Sequence, residues 1–311
     1  MYLDQDFVVE LLSKTTHVPL PEPTSAKPTP LPTVVPTVPR VTFETLHDTG
    51  KRTLWVVVVV MALSSLAFYV QAARVPVQKR LFHVLTSFIT TFAFLSYFAM
   101  ATGDGIGFHQ TIIREHLKET GQHVVKHVIN RQVFWARYVD WTLTTPLLLL
   151  DLSLLAGLNG ASILVAVVAD VIMVLTGLFA AFSNTDGQKW GWYAIACIAY
   201  LVIVYQLAQN GRRTVATKDN KTRAFYSSIG AFTLLLWTLY PIIWGVADGA
   251  RIVGVDGEIV AYAVLDILAK PVFGFWLLTT HDKMSQTTPT VDGFWASGAP
   301  TEGTLRVGDD D

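Results

Sequence analysis

The apolar stretch ARYVDWTLTTPLLLLD, residues 136–151, carries three charged side chains, Arg137, Asp140 and Asp151. Charge is costly inside a bilayer, so charged residues found there face the bundle interior, pair with one another and mark functional sites. Asp140 and Asp151 are separated by about three turns of helix, at nearly the same azimuth. The two carboxylates therefore share one helical face, with Thr144 between them, but lie too far apart to exchange a proton directly.

A second group of charges lies in AVLDILAKPVFGFW, residues 263–276. Asp266 and Lys270 are spaced i,i+4, which places the carboxylate and the amine one turn apart on one helical face. Pro271 has no N–H and frees the carbonyl of Ile267, so we expect a local bend beside the lysine. The charge pattern alone leaves three interpretations open: a structural ion pair, a site for a transported ion, or an amine that condenses with an aldehyde.

Large aromatic side chains favour the third interpretation. The run LLLWTLYPIIWG, residues 234–245, stacks three of them on one helical face, because they are spaced i, i+3 and i+7. Such a stripe is usually part of the core. Here it accompanies a tryptophan next to Asp140 and residues of a further apolar run. The residues that together could wall a long, flat, conjugated ligand are Trp141, Met173, Gly177, Trp237, Tyr240, Pro241 and Trp244.

The charged and aromatic side chains described above lie in long apolar runs, which must form the elements that position them. The chain has 311 residues, of which 51% are hydrophobic and only 15% are charged, whereas soluble domains contain about 25% charged residues. The sequence therefore predicts an all-α membrane protein, a seven-transmembrane-helix bundle. The seven runs that are long enough to cross a bilayer are residues 53–73, 81–102, 132–155, 160–182, 190–209, 224–247 and 259–280.

Loop charges predict the orientation of the bundle. Lysine and arginine concentrate in the loops between the first and second runs and between the fifth and sixth. The positive-inside rule places these loops and the C-terminus in the cytoplasm, and the N-terminus outside. The loop of residues 103–131 is long and has β-branched stretches on either side of a Thr-Gly pair, which predicts a short extracellular β-hairpin between helices two and three.

Both ends of the chain have the composition of tails. Residues 1–50 hold eight of the 14 prolines, which is typical of an extended segment. We predict a Pro-rich extracellular segment over 1–50, a seven-helix domain over 51–281 and a cytoplasmic tail over 282–311. The net charge of −1 gives no indication of nucleic-acid binding. The single cysteine, Cys197, excludes an intrachain disulfide and is interpreted as a small core residue, and no metal site is predicted.

Three motifs, RYVDW..TTPLLLLDL, W..YP..W and LD..AK, occur in this order in the third, sixth and seventh runs. With them, residues from about 50 to 281 resemble the microbial rhodopsins, and more narrowly their fungal proton-pumping group. The resemblance implies that Lys270 binds all-trans retinal covalently as a protonated Schiff base. It further implies that Asp140 is the counterion and proton acceptor, Asp266 the second counterion and Asp151 the proton donor.

The resemblance also assigns supporting residues. Along the proton path they are Thr86, Tyr97, Arg137 and Thr144, with Asp248 and Glu258 as the proton-release pair. In the retinal pocket they are Trp141, Thr145, Asp170, Met173, Trp192, Tyr193, Trp237, Tyr240 and Trp244. Asp170 is more simply a hydrogen-bonded structural group. Asp248 and Glu258 could equally be ordinary loop acids, since exposed carboxylates need no special role.

The implied function is a light-driven outward proton pump, a transporter rather than an enzyme, in the plasma membrane. A photosensory rhodopsin with a slow photocycle and a cytoplasmic signalling partner is the alternative, and a receptor or transporter without retinal is a third. A carboxylate at Asp151 favours pumping, because a fast pump needs an internal donor. The acid at Asp140 disfavours chloride or sodium pumping. Assembly into homo-oligomers stays open.

Overall fold

Seven long helices make up most of the part of the chain that the structure describes. The computed structural model describes residues 40–116 and 123–283. Each helix is long and apolar enough to cross a membrane, which confirms the predicted all-α, seven-helix membrane protein. The helices are α1 Asp48–Arg74, α2 Leu81–Thr102, α3 Trp135–Ala156, α4 Gly160–Ala181, α5 Asp186–Val215, α6 Asn220–Gly249 and α7 Val255–His281.

Helices α3 and α7 are the most enclosed by protein. Of their apolar stretches, 61% and 56% of the residues are buried, against 28–39% in the other five helices. These are also the helices whose sequences carry the largest number of charged residues in the apolar runs. The charges therefore lie on the two helices that have least contact with lipid, as their desolvation cost requires.

Local sequence determines where several helices begin and end. The side chains of Asn159 and Asp219 accept hydrogen bonds from backbone N–H groups in the first turns of α4 and α6. Gly103 and Gly157 follow α2 and α3 with φ of 94° and 77°. This left-handed conformation suits glycine and stops each helix.

Three helices contain a π-helical turn, at Tyr205–Gly211, Gly245–Gly249 and Leu268–Val272. The third contains both Lys270 and Pro271. Because the proline cannot donate to the carbonyl of Ile267, the regular pattern is interrupted there. The irregularity that we predicted beside the lysine therefore takes the form of a π turn, a feature frequent at functional sites.

A three-stranded sheet covers one end of the bundle, in the order β1-β3-β2. Strands β2, Gly107–His116, and β3, His123–Val133, pair antiparallel and form the predicted hairpin. Strand β1, Arg40–Glu44, pairs parallel with β3 and was not predicted, because it falls within the segment over 1–50 that we interpreted as an extended tail. The rest of that segment up to residue 39, the Thr-Gly turn and most of the predicted C-terminal tail lie outside the described residues.

The two ends of the bundle differ in what they carry. We call the end that bears strands β1 to β3 the sheet end. We call the other end the opposite end. There, a short turn at Val77–Lys79 joins α1 to α2, and α7 ends at His281.

Candidate functional site

Lys270 lies at the centre of the bundle between two carboxylates. Its Nζ donates to Asp140 Oδ2 and lies 3.3 Å from Asp266 Oδ1. All three side chains are at most 1% exposed. The structure thus brings together one buried cation from α7 and one buried acid from each of α3 and α7, as the sequence predicts.

The two carboxylates have different surroundings. Asp266 accepts hydrogen bonds from the hydroxyls of Tyr97, at 2.6 Å, and Tyr240, at 2.8 Å. Asp140 Oδ1 has no hydrogen-bond partner among the described residues. Thr144 does lie one turn from Asp140, but its hydroxyl donates to the Asp140 backbone carbonyl at 2.9 Å. Asp266 is therefore the more firmly held acid, and Asp140 keeps a free acceptor oxygen.

An apolar cavity opens onto Lys270. The walls come from α3 to α7, and eight of the 19 lining residues are aromatic. The predicted pocket residues that line it, together with the lysine, are Trp141, Thr145, Met173, Gly177, Tyr193, Trp237, Tyr240, Pro241, Trp244 and Lys270.

Two predicted pocket residues do not line the cavity. Trp192 is 38% exposed and packs against Phe179, with ring centroids 5.3 Å apart. Consecutive helical residues point about 100° apart, so only its neighbour Tyr193 faces inward. Asp170 lies behind the wall, where it accepts a hydrogen bond of 2.6 Å from Thr145, as its structural interpretation anticipates.

Several lining residues are absent from the sequence prediction. Cys197 lines the cavity instead of serving only as a small core residue. Tyr262 lines it too, and the Arg137 guanidinium lies 4.3 Å from the centre of its ring. Tyr138 accepts a hydrogen bond of 2.8 Å from Trp244. Tyr138 and Tyr262 are on α3 and α7 close in sequence to the charged residues, and this helical spacing is the signal that could have identified them.

Five charged side chains connect the site to the sheet end. Arg137 donates to Glu258 at 2.6 Å, and Arg131 donates to the other oxygen of Glu258 at 2.9 Å. Arg131 also contacts Asp248 at 3.3 Å and Glu44 of β1 at 2.9 Å. Asp248 and Glu258, 8% and 1% exposed, are therefore buried and ion-paired rather than ordinary loop acids.

Arg131 is the central residue of this network and was not predicted. It lies in strand β3 and is 2% exposed. Burial by itself lowers the pKa of Arg131, but the carboxylates of Glu258 and Asp248 outweigh burial and raise the pKa above its ordinary value. The sequence shows Arg131 only as one basic residue of a loop, so nothing local indicates that three carboxylates surround it.

Asp151 lies toward the opposite end and is fully buried. The hydroxyl of Thr86 on α2 faces it. Neither Asp151 oxygen nor this hydroxyl has a hydrogen-bond partner in the described parts of the chain. Gly274 of α7 makes this packing close, since a Cβ there would lie 2.5 Å from Thr86 Cγ2.

A seven-helix membrane bundle with a buried lysine between two acids, open to an aromatic cavity, is the arrangement of the microbial rhodopsins. The chain matches the bacteriorhodopsin-like protein family over residues 49–284 and belongs to that family. The resemblance inferred from the sequence motifs is thereby confirmed.

Relatives with a known activity or name agree with this assignment. The chain is 51% identical over 306 residues to Opsin-1 of Neurospora crassa, across 98% of each chain. A light-driven proton pump from Leptosphaeria maculans, whose crystal structure is known, is 54% identical in sequence. Its structure matches with a TM-score of 0.75, over 79% of this chain and 99% of that chain. A light-driven proton pump from Coccomyxa subellipsoidea matches at 34% identity and a TM-score of 0.70, over 76% and 99%. The two solved relatives are ion transporters rather than enzymes.

Proposed function

We propose that this rhodopsin is a light-driven outward proton pump with all-trans retinal bound covalently to Lys270. The observation that carries the proposal is the placement of the buried carboxylates about this lysine. Two of them contact its amine, and Asp151 lies toward the opposite end without a hydrogen-bond partner among the described residues. A pump needs an acceptor and a donor that are separated in this way.

The residues present fit retinal. The cavity is apolar and aromatic, and the amine that would form the bond stands in its wall. Trp141 and Trp244 would hold the polyene with the other lining residues, and Lys270 would anchor it. When bound as a protonated Schiff base, retinal supplies a light-driven isomerisation that moves positive charge and a proton at the lysine nitrogen.

The surroundings of the three buried acids suggest a different role for each. Asp140 has a free acceptor oxygen beside the lysine nitrogen, so it receives the proton. Asp266 accepts two hydrogen bonds from tyrosines, which stabilise its charged form and keep it as the fixed counterion. Asp151 is buried and has no ion pair with any described residue, and a carboxyl group in such a place holds its proton until it is needed.

The sheet end is the proposed exit. Arg137 lies between the central acids and Glu258, so a change in charge at Asp140 reaches the release pair through this guanidinium. Glu258 and Asp248 then pass a proton to the solvent beside the sheet. The positive-inside rule supports an orientation with the sheet end outside the cell and the opposite end in the cytoplasm. The membrane that we propose is the plasma membrane.

Illumination of cells that express the protein and are supplied with retinal tests the proposal. We expect the medium to become more acidic in light, and an uncoupler to abolish the change. Lys270→Ala should give a colourless protein without acidification, while the parent should lose its colour in hydroxylamine. A coloured parent that does not acidify the medium would favour the photosensory alternative, and an unchanged colour in Lys270→Ala would overturn the retinal linkage.

A further inference from the structure

A cluster of titratable side chains at the opposite end has no role in the function proposed above. His83 of α2 is fully buried. Asp282, which directly follows α7, places Oδ1 3.5 Å from the His83 Nε2, and its side chain is 47% exposed. The ring of His281 lies 6.4 Å from that of His83, centroid to centroid. The cluster thus joins solvent to a fully buried imidazole.

The buried imidazole leads toward the proton donor. Thr86 lies one turn after His83 on the same face of α2, and its hydroxyl faces Asp151. Apart from the approach of Asp282, both ring nitrogens of His83, the Thr86 hydroxyl and both Asp151 oxygens lack hydrogen-bond partners among residues 40–116 and 123–283. These weakly paired groups follow one another from the half-exposed Asp282 to the buried Asp151, which is the order that a route for proton exchange requires.

The surrounding charges are compatible with this role. Arg80 and Lys79 act on the histidines as nearby positive charges, and Asp282 as the nearby negative charge. Arg80 directs its guanidinium to the carbonyl of Val75, at 2.8 and 3.1 Å. The Asp282 carboxylate faces His83, where it can stabilise an imidazolium.

We propose that His83, with Asp282, reloads Asp151 with protons from the solvent at the opposite end. The inference rests on the proposed pump. Asp282 guides a solvent proton to Nε2 of His83, and the imidazolium so formed gives the proton on its other nitrogen to the Asp151 carboxylate through the Thr86 hydroxyl. One proton moves inward, and His83 returns to the neutral form. Histidine suits this step because its charge changes between about pH 5 and 8.

Flash-induced proton uptake in the purified, retinal-loaded protein tests the relay. A pH dye should show that proton uptake is slowed about tenfold or more in His83→Gln. This factor is a low expectation, because a positioned group that transfers protons typically contributes more to the rate. Asp282→Asn should slow uptake less. Added imidazole or azide should restore the rate in both variants, while proton release stays as fast as in the parent. His47→Gln is the matched control, since His47 forms a similar pair with Asp256 at the sheet end, at 3.0 Å.

The outcomes separate the relay from the pump. Normal release with unchanged uptake in His83→Gln, or slow uptake that small bases do not rescue, would overturn the relay and leave the pump intact. A parent that neither releases nor takes up protons would overturn both. A second measurement needs no light: in ¹⁵N spectra of the dark protein, the His83 signal should titrate with bulk pH and move in Asp282→Asn. A pH-independent signal would contradict the route to solvent.

Discussion

At the scale of single residues, the proposed function depends on a difference in hydrogen bonding between two carboxylates that contact the same amine. Asp266 is fixed by two tyrosine hydroxyls, and Asp140 keeps one oxygen without a partner in the described structure. An acid that accepts strong hydrogen bonds favours its charged form. The carboxylate that accepts fewer hydrogen bonds is the one that is more readily protonated. We therefore assign the role of proton acceptor to Asp140.

Asp140→Asn tests this assignment. We expect a coloured protein with absorbance shifted to the red, because the negative charge that stabilises the ground state of the chromophore is removed. Pumping should be abolished, since an amide cannot take the proton. Absorption spectra and light-induced acidification check both expectations.

Asp170→Asn provides the control for Asp140→Asn. Asp170 is a buried acid that contacts Thr145 outside the cavity, so this variant should remain coloured and pump. Parent-level pumping in Asp140→Asn would contradict the acceptor assignment.

Sequence alone predicts single residues well where their placement is energetically expensive. Lys270, Asp140 and Asp266 are recognisable because charge within an apolar run demands an explanation. Arg131 has ion pairs with three carboxylates, yet it stands in a polar loop of the sequence, where charge is ordinary. Trp192 and Tyr193 are both aromatic and adjacent, so choosing between them requires the helix rotation that only the structure supplies.

At the scale of elements, close packing of α7 against α2 positions the residues around Asp151, the proposed donor. Gly274 permits it, since a Cβ at this position would lie 2.5 Å from Thr86 Cγ2 and 2.8 Å from the Phe68 ring. Neither neighbour can move freely, because both side chains are buried. The glycine therefore sets the distance between α7 and the threonine that faces Asp151.

Gly274→Ala should disturb this contact. Overpacking of a close-packed interior costs typically about 1–3 kcal/mol, so we expect a lower melting temperature. Displacement of Thr86 should also slow proton uptake while proton release is unchanged. Thermal denaturation and flash-induced dye signals measure the two effects.

Gly191→Ala is the matched control for Gly274→Ala. Gly191 lies in α5, where an added methyl group would meet no other described side chain within 4 Å. Alanine should therefore leave stability equal or raise it by up to about 1 kcal/mol. Equal melting temperatures for the two variants would contradict the packing argument.

The elements differ in how far the sequence predicts them. Seven helices follow from the length and hydropathy of their runs, and their bounds differ from prediction by a few residues. The β2-β3 hairpin follows from a local turn signal and adjacent strands. Strand β1 is different, because it pairs in parallel with residues 127–131, far along the chain. Nothing within Arg40–Glu44 indicates that partner strand. The many prolines nearby therefore led to the prediction of an extended tail, despite the β-branched residues in this short segment.

At the scale of the whole molecule, the two ends of the bundle are built differently. The opposite end carries a sparse series of unsatisfied polar groups that leads toward Asp151. The sheet end carries a compact ion network in which Arg131 of β3 joins Glu44 of β1, Asp248 of α6 and Glu258 of α7. In the proposed pump, the entry side therefore has few hydrogen bonds and ion pairs among its polar groups, whereas the exit side is held together by ion pairs.

Arg131→Gln should be far more destabilising than Glu44→Gln at the sheet end. The raised pKa of Arg131 means that it is a cation at every accessible pH, and its removal leaves Asp248 buried without this counter-charge. Breaking a buried ion pair by removing one partner costs about 3–5 kcal/mol. Glu44→Gln removes only a partner whose side chain is 30% exposed, so it should cost at most about 1 kcal/mol.

The double variant decides whether these ion pairs form one unit. Once Arg131 is gone, Glu44 has lost its partner, so Glu44→Gln should add little to the loss already caused by Arg131→Gln. Bleaching of the coloured protein during thermal denaturation gives the midpoints of the parent, the two single variants and the double variant under identical conditions. A strictly additive double variant, or an Arg131→Gln midpoint equal to that of Glu44→Gln, would show that Arg131 does not hold the sheet to α6 and α7.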